Sequence, residues 1–124
     1  MSLLVENLDN AAPVLHRGQT IRLEEASVFA KWLGSLRDRR AVAKIADRLK
    51  RVSNGNFGDH RSVQGGVFGL RIDYGPGYRV YFFQRGKDLV ILLCGGDKRT
   101  QDADIAQAKR LKAEIEKRDG NKAV

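Results

Sequence analysis

Residues 67–94 read VFGLRIDYGPGYRVYFFQRGKDLVILLC, and the fold is decided in this stretch. It divides into three strand-like segments, Val67–Asp73, Tyr78–Arg85 and Leu89–Cys94, rich in β-branched and aromatic side chains. Gly75, Pro76 and Gly77 punctuate the first break, and Gly86, Lys87 and Asp88 the second. Connections this short only join antiparallel neighbours. The uninterrupted apolar run Leu89–Leu93 is the pattern of a strand covered on both faces, and Gly95 with Gly96 is expected to end it.

Upstream the period changes. Phe29, Trp32, Leu33 and Leu36 fall at i, i+3, i+4 and i+7, one face of a helix. Asp38 is a natural N-cap for a second helix, whose apolar face is Val42, Ile45, Leu49 and Val52. Asn54, Gly55 and Asn56 end it, because Asn and Gly accept the left-handed conformation at a helix C-terminus. Phe57–Gly66 reads as a loop, and the short alternating run Thr20–Leu23 as an edge strand. Downstream, Thr100 is the expected N-cap of a last helix. Asp102 and Asp104 in its first turn suit the helix dipole, and Ile105, Ala108, Leu111 and Ile115 form its apolar face.

The order β-α-α-β-β-β-α predicts an α+β fold: a small twisted antiparallel sheet with a helical hairpin packed on it. At 124 residues the chain has room for one domain, expected over residues 20–119. Residues 1–19 show no sustained period, Pro13 interrupts them, and they are expected to be a poorly ordered N-terminal extension.

Composition removes several functional classes. A single cysteine, Cys94, excludes a disulfide framework, and with His16 and His60 so widely spaced no metal site is expected. No cofactor motif is present either: Gly95-Gly96-Asp97-Lys98 lacks the spacing of a phosphate-binding loop. The longest apolar run is the five residues Leu89–Leu93, far short of a membrane span, and no secretory leader is legible, so a cytoplasmic protein is expected.

The net charge is +8, from 23 Lys and Arg against 15 Asp and Glu. The excess is internal: residues 25–60 carry eight basic and four acidic side chains, and residues 61–100 seven and three. A polyanionic partner is implied. Arg71 in the first strand, Arg79 at the start of the second, and Lys98 and Arg99 beyond the third stand at places that an antiparallel meander can bring to one face or edge. Grouped guanidinium and ammonium groups suit a phosphodiester and the added charge of its pentavalent transition state. Tyr74, Tyr78 and Tyr81 offer faces on which unpaired bases stack, and His60 and Arg61 stand in the adjoining loop.

Taken in order, Phe29-Ala30-Lys31-Trp32-Leu33, Leu36-Arg37-Asp38, Gly55-Asn56-Phe57-Gly58-Asp59, Leu70-Arg71-Ile72, Gly75-Pro76-Gly77-Tyr78-Arg79-Val80-Tyr81-Phe82 and Gly95-Gly96-Asp97-Lys98 form a pattern that is not generic. It resembles the RelE/ParE toxin superfamily, and within it the HigB-like addiction module killer proteins, from about Thr20 to Lys117. The resemblance implies the toxin of a type II toxin–antitoxin system, paired with a cognate helix-turn-helix antitoxin. Its implied action is ribosome-dependent mRNA cleavage without a metal, by attack of the RNA 2′-hydroxyl on the adjacent phosphate. On this likeness Arg79 matches the phosphate-stabilising arginine, Lys98 or Arg99 the basic residue after the third strand, and Arg71 a basic strand residue that contacts RNA. Arg71, Arg79 and Lys98 are thereby the implied catalytic set; Arg99, Tyr78, Tyr74, His60 and Arg61 are the implied substrate contacts. Many relatives place a Tyr or His near the C-terminal helix, but Gln101–Asp119 contains neither, so the proton-transfer group is unassigned. The alternatives are a non-catalytic ParE-like inhibitor, for example of DNA gyrase, and a degenerate toxin that only binds its antitoxin.

Overall fold

A computed structural model describes residues 20–123; the N-terminal extension expected over residues 1–19 lies outside the described residues. The elements are β1 Arg22–Glu25, α1 Ser27–Ser35, α2 Arg39–Ser53, β2 His60–Ser62, β3 Phe68–Ile72, β4 Tyr78–Arg85, β5 Leu89–Asp97, a single 3-10 turn Lys98–Thr100, and α3 Gln101–Ala123. One five-stranded sheet runs in the order β1-β5-β4-β3-β2. Helices cover both of its faces.

The meander of β3, β4 and β5 is antiparallel, as its short turns require. Two features of the sheet depart from the expectation. The edge strand β1 pairs with β5 in parallel, Leu23 opposite Val90 and Glu25 opposite Leu92. It reaches β5 only after the whole intervening chain, so no turn signal reports its direction. The segment expected to be a loop also contributes a strand: β2 pairs antiparallel with β3, Arg61 opposite Gly69. All three β2 residues are exposed, so the strand is held by its backbone bonds to β3 and shows no apolar alternation.

The start of α2, its end and the approach to α3 each have a local cause. The Asp38 carboxylate accepts the free N–H groups of Arg40 (2.9 Å) and Ala41 (3.3 Å) at the start of α2. After α2, Gly55 takes φ +92° and its N–H reaches back to the Val52 carbonyl at 2.8 Å, an αL termination. Ahead of α3 the capping carboxylate is Asp97, which accepts from the Arg99 N–H at 2.8 Å. Thr100, the expected cap, instead donates its hydroxyl to Asp104 at 2.5 Å.

Two hydrophobic layers result. On one face α1 and α2 press Phe29, Ile45, Leu49 and Val52 onto Leu70, Ile72, Val80, Phe82, Val90 and Leu92. On the other, Ala108 of α3, flanked by Ile105, Leu111 and Ile115, packs on Val67, Tyr81, Phe83, Ile91 and Leu93. Fully burying one such side chain contributes roughly 1.5–3 kcal/mol. Phe82 stacks between Phe57 (5.7 Å) and Phe68 (5.8 Å). Among the described residues no helix is long and apolar enough to cross a membrane.

Gly95 and Gly96 do not end β5, which runs on to Asp97. They are glycines because both sheet faces are approached closely there: a Cβ on Gly95 would overlap the Trp32 ring, and one on Gly96 the Asp104 carboxylate. Gly34 in α1 faces open space. Gly95→Ala is therefore expected to destabilise by about 1–3 kcal/mol through overpacking, whereas Gly34→Ala is expected to stabilise by about 0.5–1 kcal/mol. Urea unfolding of the two variants checks both signs.

Candidate phosphate-binding cleft

The pleat sorts the side chains of β3 and β4. Leu70, Ile72, Val80 and Phe82 point to the helical hairpin. Gly69 and Arg71, and Arg79, Tyr81 and Phe83, alternate with them and take the α3 side. Two cross-strand rows follow on that side. Arg61 lies opposite Gly69, which lies opposite Tyr81. In the next row Arg71 lies directly opposite Arg79.

In the first row the Tyr81 ring lies over Gly69, 3.2 Å from where a Cβ would stand. An open cleft of about 60 Å³ adjoins it, lined by Arg61, Val63, Gly69, Arg71, Arg79, Tyr81 and Gln101. Three guanidinium groups border it, and none of the lining residues is acidic. Like charges directly opposite on neighbouring strands repel and destabilise a sheet. Of the two, Arg71 has a carboxylate partner in Asp59, and Arg79 has none among the described residues.

The arginines are not equivalent. Asp59 holds Arg71, its Oδ2 accepting from the guanidinium Nε at 3.0 Å and its carbonyl accepting from the Arg71 N–H at 3.0 Å. Arg48 on α2 secures this node from behind: its guanidinium donates to the carbonyls of Arg71, Phe57 (3.0 Å) and Asp59 (3.2 Å). Partial burial there lowers the Arg48 pKa. Among the described residues neither Arg61 nor Arg79 has an ion-pair partner, and Arg79 Nε is buried with no acceptor. The Tyr81 hydroxyl is likewise buried without a partner, and burial pushes the phenol up to about 12. Cys94, opposite Tyr81 on β5, is buried, its thiol pushed up to about 12, so it is no nucleophile at neutral pH.

Of the residues expected from sequence, the cleft gathers Arg71, Arg79 and Arg61. The others lie elsewhere. Tyr78 packs edge-on against Trp32 at 6.2 Å, and His60 sits between Phe57 (5.4 Å) and Phe68 (6.1 Å), both on the hairpin side. Tyr74 donates its hydroxyl to Asp38 Oδ2 at 2.9 Å, with the Lys44 ammonium 5.5 Å from its ring centre. Arg99, 79% exposed, is forked onto Asp97 at 2.9 and 3.2 Å, and Lys98 packs its stem beside Gly77. Neither lines the cleft. Sequence reasoning passed over Gly69 and Gln101 and took Tyr81 only as a stacking surface. The available signal was a lone glycine inside an apolar strand, which marks close approach of a ligand or backbone.

Residues 31–118 match the family model described as Phage derived protein Gp49-like (DUF891). The chain belongs to this Gp49-like family. It is an addiction-module toxin-like, RelE-like family, in keeping with the α+β fold. An uncharacterized protein of Haemophilus influenzae is 55% identical over 96 residues, which cover 77% of this chain and 97% of that protein. The Gp49-like match begins at α1 and ends within α3, so every residue lining the cleft falls inside it.

The Tyr74–Asp38 bond makes a pH-dependent prediction. That bond, first, and the two N-cap amides hold the Asp38 carboxyl below its usual range. A depressed carboxylate stabilises the fold above its unfolded value of about 3.9 and loses that contribution as pH falls through the folded value. Tyr74→Phe is expected to raise the Asp38 value in an NMR titration. The urea midpoints of variant and wild type are expected to differ at neutral pH and to converge on acidification.

Proposed function

We propose that this Gp49-like protein is the toxin of a type II toxin–antitoxin system of HigB-like kind, acting in the cytoplasm as a ribosome-dependent mRNA endoribonuclease. The observation that carries the reading is the opposed pair Arg71 and Arg79, with Arg61, around a cleft bordered by no carboxylate. A polynucleotide phosphate supplies the negative charge that this arrangement lacks. The RelE-like character of the family supports the same class of activity.

In the proposed reaction the mRNA 2′-oxygen attacks the neighbouring phosphorus and the 5′-oxygen departs, leaving a 2′,3′-cyclic phosphate and a 5′-hydroxyl. Arg79, with no carboxylate partner among the described residues, stabilises the charge that builds on the non-bridging oxygens. Arg71, aimed by Asp59, and Arg61 across the cleft position the phosphate. Lys98 and Arg99, exposed beyond β5, and the basic face of α2 contribute contacts to RNA backbone. A helix-turn-helix antitoxin that covers the basic face would silence all of these contacts at once.

Inducing the protein alone is expected to arrest growth and to produce cuts within translated codons when mRNA 5′ ends are mapped. Arg79→Ala is expected to lower cleavage by roughly 10²–10³-fold while still binding the antitoxin. RNA affinity of the wild type is expected to fall with salt at a slope of about −0.7 per phosphate neutralised. Toxicity with intact mRNA would instead indicate a ParE-like inhibitor that does not cut.

A further inference from the structure

The proposed reaction requires a proton for the departing 5′-oxygen, and α3 offers no Tyr or His to supply it. We propose that Tyr81, whose ring packs on Gly69 at the cleft, is the catalytic acid: its hydroxyl protonates the leaving 5′-oxygen of the scissile phosphodiester. This inference rests on the nuclease reading above.

Buried hydroxyls are nearly always hydrogen-bonded, yet the Tyr81 hydroxyl has no partner among the described residues. Its side chain is 1% exposed and lines the cleft. The other charged groups there, Arg61, Arg71 and Arg79, are donors only and cannot accept its proton. Arg79 Nε is a second buried donor without an acceptor in the same cleft. Two unmet donors call for a ligand that brings acceptors, and a phosphodiester brings little else. The cleft, open and about 60 Å³, has room for more than one water-sized group. Gly69 seats the Tyr81 ring at the edge of that space, since a Cβ there would stand 3.2 Å from the ring.

The acidity is suitable for a donor and unsuitable for a base. A phenol pushed up to about 12 keeps its proton at neutral pH. It is still a stronger acid than an aliphatic alcohol, so transfer to a departing alkoxide runs downhill. A guanidinium holds its proton more tightly than this phenol and is a poorer donor. In the step, the 2′-oxygen bonds to phosphorus and its proton passes to water. The P–O5′ bond breaks, its electron pair goes to O5′, and O5′ takes the Tyr81 proton. The phenolate regains a proton from water, so no redox partner is needed and no water is consumed.

The test compares wild type, Tyr81→Phe and Arg79→Ala on ribosomes programmed with two mRNAs: one with ordinary linkages, and one with a 5′-bridging sulfur at the cleaved position. A thiolate leaves without protonation. Tyr81→Phe is expected to cut the oxygen linkage roughly 10²–10⁴-fold more slowly and the sulfur linkage within a few-fold of wild type. Arg79→Ala is expected to slow both, because charge on the non-bridging oxygens does not depend on the leaving atom. The melting temperature of Tyr81→Phe is expected to equal or exceed that of wild type, because the lost hydroxyl had no partner. Equal slowing of Tyr81→Phe on both linkages, no slowing on either, or a lowered melting temperature overturns the proposal. A toxic wild type that cuts neither mRNA overturns the nuclease reading itself, and does so before any variant is compared.

Discussion

Everything in this fold is keyed to the two-residue alternation of β4. With helices on both sides of the sheet, each side chain of that strand has only one acceptable direction. Val80 and Phe82 fill the hairpin layer, and Phe83 fills the layer under α3. A slip of one residue would drive Arg79 into the hairpin layer and take Phe82 out of it, to the α3 side. Burying Val80 and Phe82 contributes roughly 1.5–3 kcal/mol each. The repulsion of Arg79 across from Arg71 costs at most about 1 kcal/mol. Packing wins, so the chain tolerates two opposed guanidiniums at a fixed separation.

That tolerance is used unevenly. Arg71 is tied to Asp59, and Arg48 anchors the carbonyls of both residues and of Phe57, so three segments far apart in sequence converge on one guanidinium. The pair is half exposed, so its direct contribution to stability is small; its effect is to aim a side chain. Among the described residues Arg79 and Tyr81 receive no such partner. Buried polar groups left unmet are destabilising in the free protein, and they persist where packing elsewhere over-determines their position. Here the surrounding constraints are the β4 register, the seat of the Tyr81 ring on Gly69 and the glycine pair under α1 and α3.

Much of the architecture was legible in the sequence, for reasons that are local. Turn glycines delimited β3, β4 and β5, Asp38 announced α2, and helical periodicity placed the hairpin. What escaped was non-local or unpatterned: the parallel docking of β1 on β5, and β2, whose residues have no buried side. The site divides the same way. Arg71 and Arg79 were legible as basic residues on adjacent strands, and their convergence with Arg61 follows from the register. The tyrosines were grouped by type when they should have been sorted by parity. Tyr78 and Arg79 are consecutive in a strand, so they face opposite sides of the sheet; Tyr81, two residues on, shares the side of Arg79.

The acidic start of α3 has a part in the same balance. Asp102 and Asp104 suit the positive end of the helix, and Asp104 is wedged over Gly96 and hydrogen-bonded by Thr100. Burial raises the Asp104 carboxyl, and this carboxylate in turn is the leading charge that adds to burial in raising Tyr81, while Arg79 opposes it. The phenol therefore sits between an acidic helix start that holds its proton on and an arginine that would help release it. Negative charge arriving at the guanidiniums weakens the arginine's share, so the phenol holds its proton more firmly while phosphate is bound. Charge developing on a departing alkoxide then pulls at that proton directly. A proton held firmly in the ground state and drawn off only as the bond breaks is how an acid favours the transition state over the substrate.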